Sequence, residues 1–84
     1  KSQKQLVEYD PANVAKIKTR LQISEREYEV IQGIADGLSN KEIGERLHLS
    51  EHTVKSHLAN VFVKLNAKRR TEAVLIARKE GLIS

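Results

Sequence analysis

The fold class this sequence predicts is all-α, and three observations predict it. A serine, or in one case an aspartate, stands at the capping position ahead of four segments whose apolar residues recur at helical spacing. Glycine or asparagine follows three of the five segments, where a helix must stop. No stretch alternates apolar and polar residues as a half-buried strand does, and no internal repeat or low-complexity run is present.

Each element can be justified in turn. Asp10 can cap a first helix at about 11 to 20, with Pro11 at its first position, Tyr9 stapled to Val14, and Val14, Ile17 and Leu21 on one side. Ser24 and Glu27 form a capping box for a second, about 25 to 36, with Ile23 and Tyr28 as its staple and Gly37 as its stop. Ser39 and Glu42 form another box for a third, about 40 to 47, bracketed by Leu38 and Ile43. Ser50 caps a fourth, about 51 to 65, with Leu49 paired to Val54 and Asn66 at its end. The last runs from about 70 to 80 and closes at Gly81.

Bulk properties narrow the function classes. Eighty-four residues make one small domain, near the lower limit for a core that stabilises itself unaided. There is no cysteine, hence no disulfide and no thiolate metal site, which suits a reducing cytoplasm. There is no apolar run of about 18 residues and no signal-peptide pattern, so neither membrane nor export is expected. The chain starts at Lys1 and has no methionine, and it reads as a piece of a longer protein. Net charge is +3 over residues 1–20, −3 over 24–38, +4 over 41–70 and zero over 71–84. A basic middle behind an acidic helix suits a polyanion-binding face.

The third and fourth helices are separated only by "HLS". Two helices joined by so short a turn, the second longer and more basic, describe a helix-turn-helix. Ile43, Leu47, Leu49, Val54 and Leu58 supply the shared core, and small Gly44 lies where close backbone approach is needed.

From Ile23 to Ile83 the chain carries "GLSNKEIGERL", "LSEHTVKSHL", "VKLN" and "RRTEAVLIARKEGLI" in order. In these motifs and their spacing it resembles the DNA-binding domain of the LuxR/NarL (GerE) class of bacterial transcription regulators. The resemblance implies a four-helix helix-turn-helix domain at 23–84 preceded by a partly helical linker at 1–22. It further implies that the helix at 51–65 enters the major groove of double-stranded DNA and that the last helix pairs two subunits into a homodimer on an operator with paired half-sites. Gly33 and Gly44 depart from the family pattern, and each costs about 1 kcal/mol of helix stability relative to alanine.

Three histidines in "HLSEHTVKSH" raise the alternative of a metal site or an enzyme. At about 100° per residue, Val54, Leu58, Val61, Phe62 and Leu65 share one buried face, while His52, Ser56, Ala59, Asn60 and Val63 point away. His52 and His57 diverge, His48 lies in the preceding turn, and no nucleophile or carboxylate accompanies them. Neither metal, cofactor nor catalysis is expected.

Function then rests on the outward face and its rim. Lys55 matches the family position that reaches a base edge or nearby phosphate, and lysine can donate to guanine O6 and N7. Ser56 and Ala59 are family groove positions, although Ala59 is apolar where some members are polar or charged. Asn60 is a candidate by geometry alone. For the DNA backbone, Asn40 and Lys41 combine free helix N–H groups with positive charge. Thr53 and His57 match family positions near the sugar-phosphate chain, and Lys64 and Arg70, with Lys68 and Arg69, continue the basic strip. Four ionic contacts, from Lys41, Lys55, Lys64 and Arg70, would give a log-log salt slope near −3.6 per subunit.

The last helix is apolar nearly all round over "AVLIA". Ala73, Ile76 and Ala77 form a core stripe. Thr71, Leu75, Arg78 and Leu82 form a second stripe, which resembles the family's dimer seam unless the first helix covers it. A sigma-factor domain that reads promoters with RNA polymerase, or a helical module for an acidic protein partner, are the other readings. RNA polymerase is also a possible partner of an operator-bound regulator.

Overall fold

The computed structural model describes residues 9–84. It contains five helices, α1 (Pro11–Leu21), α2 (Glu25–Ala35), α3 (Asn40–Leu47), α4 (Glu51–Leu65) and α5 (Arg70–Lys79), and no strand among the described residues. The part of the linker at residues 1–8 lies outside the described residues.

The caps form as their chemistry requires. The Ser24 hydroxyl accepts from the Glu27 amide at 3.1 Å while the Glu27 carboxylate accepts from the Ser24 amide at 2.9 Å. Ser39 and Glu42 repeat the exchange at 3.1 and 2.8 Å. Ser50 accepts from the Thr53 amide at 3.0 Å, and Asp10 from the Ala12 amide at 3.0 Å. These bonds satisfy amides that a helix start otherwise leaves without partners. α5 lacks a side-chain cap on Arg69, but the Glu72 carboxylate accepts from the Lys68 amide at 2.7 Å.

The helix ends share one device. Gln22, Gly37, His48, Asn66 and Gly81 take left-handed backbone, with φ of 61°, 80°, 60°, 55° and 82°. The next residue then donates its amide to the carbonyl five residues back, as in Ile23 to Lys18 O, Leu38 to Gly33 O, Leu49 to Gly44 O, Ala67 to Phe62 O and Leu82 to Ala77 O. In this arrangement the donating residue folds back against the helix it ends, and all five of these residues are apolar. Ile23, Ala67 and Leu82 are buried, and Leu38 and Leu49 pack against the core.

α2 and α4 carry the centre of the core, with Val30, Ile31, Val54 and Val61 fully buried, and Ile43 of α3 completes it. Both unusual glycines prove to be packing requirements. A Cβ on Gly33 would lie 2.7 Å from Ile43 Cγ1, and one on Gly44 would lie 2.5 Å from the Leu49 carbonyl oxygen. The approach at Gly44 is to the turn itself, which is how three residues suffice to connect α3 and α4. α1 is tied on by Val14 in the core, by Lys18 to Glu25 at 2.6 Å and by Arg20 to Glu80 at 2.8 Å.

Candidate nucleic-acid interface

α4 separates its faces cleanly. Val54, Leu58, Val61 and Leu65 are buried, whereas His52, Lys55, Ser56, Ala59 and Asn60 are exposed. Val63, 80% exposed, extends the outer face as apolar surface. At 1.5 Å per residue the helix is about 22 Å long, and a major groove about 12 Å wide admits it. Phe62, assigned to the buried face, is half-buried at its edge.

A shallow cleft beside α4 gathers residues from three helices. Asn40 at the start of α3, Lys55, Leu58, Ala59 and Phe62 of α4, and Arg70 at the start of α5 line it. Lys41 and Lys55 are exposed, and neither is held in an ion pair among the described residues. Thr53 and His57 are half-buried at the margin of α4. Ser50 donates its hydroxyl hydrogen to Thr53 Oγ1 at 2.9 Å, which leaves the Thr53 hydroxyl hydrogen to point elsewhere.

Two members of the anticipated basic strip have other duties. Lys64 Nζ lies 2.7 Å from Oε1 of Glu27, which is buried in α2. Burial by itself pushes the Glu27 carboxyl up, but the Lys64 ammonium and the bonds from Ser24 outweigh it and hold the carboxyl below the ordinary glutamate value. Lys64 therefore neutralises an internal charge. Arg70 donates from Nη1 to Asn40 Oδ1 and from Nη2 to the Leu38 carbonyl, both at 2.6 Å. Its guanidinium clasps the start of α3. Neither duty was visible in the sequence, because the partners are 37 and 30 residues distant.

The histidines stand apart in structure. His48 is the left-handed closing residue of α3, a conformation in which histidine is tolerated better than most side chains. His52 is exposed and His57 is half-buried. Among the described residues no three metal-ligating side chains of His, Cys, Asp or Glu come together, and no helix is long and apolar enough to cross a membrane.

The family described as bacterial regulatory proteins, luxR family, matches residues 21–77. The chain belongs to the luxR family. Its curated relatives include the transcriptional regulatory protein DegU of Brevibacillus brevis, 46% identical over 61 residues that make up 73% of this chain and 26% of that protein. They also include the transcriptional regulatory protein YdfI of Bacillus subtilis (strain 168), 41% identical over 96% of this chain and 38% of the relative. The response regulator protein VraR of Staphylococcus aureus (strain NCTC 8325 / PS 47) is 35% identical over 89% of this chain and 40% of the relative. The chain thus spans between 26 and 40% of the length of these three proteins. In this luxR-family chain, α3 and α4 are the helix-turn-helix of a DNA-binding regulator domain.

Of the four residues of the anticipated seam, Thr71, Leu75, Arg78 and Leu82, one is placed elsewhere by the structure. Leu82 is 0% exposed. The helical wheel extrapolated past the helix end, but α5 stops at Lys79 and left-handed Gly81 turns the chain back, so Leu82 plugs the core beside Ala77. Thr71, Leu75 and Arg78 remain exposed, Leu75 at 60%, and α1 does not cover them. With Ile34, Gly37, Leu38, Arg70 and Val74 they line an apolar groove between α2 and α5. Arg78 also donates from Nε to the Ser84 carbonyl at 3.0 Å, bracing the chain end.

Proposed function

We propose that this domain reads duplex DNA in a sequence-specific way, as a dimer on paired half-sites, with α4 in the major groove. The observation that carries this reading is the single exposed face on which Lys55, Ser56, Ala59 and Asn60 lie together, opposite the buried row of Val54, Leu58, Val61 and Leu65. Lys55 donates to a guanine edge, Ser56 and Asn60 supply donors and acceptors, and Ala59 offers a methyl surface to thymine. Lys41, Asn40, Thr53 and His57 hold the sugar-phosphate chains and fix the register. Thr71, Leu75 and Arg78 form the seam between subunits. Relatives named as a response regulator and as transcriptional regulatory proteins support a regulator of transcription. In this reading it acts in the cytoplasm, with RNA polymerase as a further contact at the promoter.

The test is selection of bound duplexes from a random pool, followed by binding of Lys55→Ala to every single-base variant of the selected site. Loss of one base contact costs about 1 to 3 kcal/mol and relaxes preference at one or two positions of each half-site. If all variants weaken by one common factor, Lys55 holds phosphate and the reading lies with Ser56, Ala59, Asn60 or DNA shape.

A further inference from the structure

Arg70 reaches from the start of α5 to two points that flank the cap of α3, the Leu38 carbonyl and the Asn40 side chain, each at 2.6 Å. A guanidinium has five donors and no acceptor, so the atom of the Asn40 amide that faces it must be the oxygen. The NH2 group sits on the other arm of the same planar carboxamide and is therefore turned away from Arg70. Asn40 Nδ2 makes no hydrogen bond among the described residues, and Asn40 lines the cleft that Lys55 and Ala59 share.

We infer that Arg70 is a positioning residue for DNA binding, which holds the Asn40 carboxamide with its NH2 outward and so makes Asn40 a phosphate donor at the start of α3. This deepens the DNA-reading assignment and rests on it. An unheld asparagine amide rotates broadly about its last torsion and presents oxygen as readily as nitrogen. An oxygen turned to a phosphate repels it, whereas a fixed NH2 donates to it. The clasp also joins the start of α5 to the start of α3, its two bonds falling on either side of Ser39.

A double-mutant cycle on the 84-residue chain separates this role from direct phosphate contact by Arg70. Affinity for a fixed duplex carrying one half-site, so that one subunit binds, is measured for wild type, Arg70→Ala, Asn40→Ala and the double variant, each shown to be folded by its helical signal. A hydrogen bond to a charged group is worth about tenfold in affinity. We expect each single variant to lose about tenfold and the double variant to lose no more than either. Arg70→Lys, which keeps the charge but not the two-point clasp, should lose as much as Arg70→Ala, and the cycle run with it replaces the alanine variant if that one does not fold. In wild type the Asn40 side-chain NH2 resonances should shift on addition of duplex, and in Arg70→Lys they should not. Losses that multiply to about a hundredfold, full affinity in Arg70→Lys, or full affinity in Asn40→Ala would each overturn the inference. Wild-type protein that binds no duplex would instead overturn the DNA reading beneath it.

Discussion

At the scale of single residues, the Glu27–Lys64 pair shows how burial changes a side chain's meaning. Glu27 is 4% exposed, accepts the Ser24 amide and is neutralised by Lys64 at 2.7 Å. Removing Lys64 leaves a buried carboxylate without its counter-charge, so Lys64→Ala should lower unfolding free energy by about 2 to 3 kcal/mol in urea titrations. The pH dependence follows from the sign of the shift. Because the folded carboxyl is held below its ordinary value of 4.5, its contribution is complete above that pH and disappears as pH falls through the lowered folded value. The stability gap between wild type and Lys64→Ala should therefore shrink on acidification below about pH 4.5. A gap that stays constant down to strong acid would show that Lys64 stabilises by packing its stem, not by its charge.

At the scale of elements, the helix-turn-helix is tight because α3 carries glycine where its flank meets the turn. Helix propensity alone says that Gly44→Ala should stabilise α3 by about 1 kcal/mol. The added Cβ would stand 2.5 Å from a backbone oxygen that cannot rotate aside, so the melting temperature should fall instead. A rise would mean that the turn yields at little cost. α5 makes the complementary point about exposed apolar surface. Leu75 is 60% exposed over a groove of Ile34, Leu38 and Val74, and a charge there touches little of the monomer's core. Leu75→Glu should leave the folded monomer intact by circular dichroism while abolishing cooperative binding to paired half-sites. Cooperativity that survives would move the seam to another face.

At the scale of the whole molecule, net charge overstates the charge available to DNA. Lys18, Arg20, Arg26, Arg46 and Lys64 are all engaged with carboxylates, and Arg70 with Asn40 and Leu38. With Lys64 neutralised by Glu27, three of the four cations counted from sequence keep their charge: Lys41, Lys55 and Arg70, whose partners Asn40 and Leu38 are neutral. The log-log salt slope should accordingly be about −2.7 per bound subunit and about −5.4 for a pair, three-quarters of the four-cation count. A slope of about −7 for the pair would return Lys64 to the phosphates as well.

The helices and their caps were legible in the sequence because capping is local chemistry. Ser24 and Glu27 lie three residues apart, as do Ser39 and Glu42, and each exchange closes within one turn. The division of α4 into buried and exposed faces was legible for the same reason, since 3.6-residue periodicity is a property of the segment itself. Gln22 and His48 gave no such signal as left-handed closing residues, because neither is the glycine or asparagine that marks such a site. Tertiary structure alone decided which cations are free. Lys64 meets Glu27 and Arg70 meets Asn40 only when α2, α3, α4 and α5 have packed, and spacing along the chain carries no trace of those meetings. It decided Leu82 as well: a wheel assumes that the helix continues, and the left-handed turn at Gly81 sends that side chain into the core.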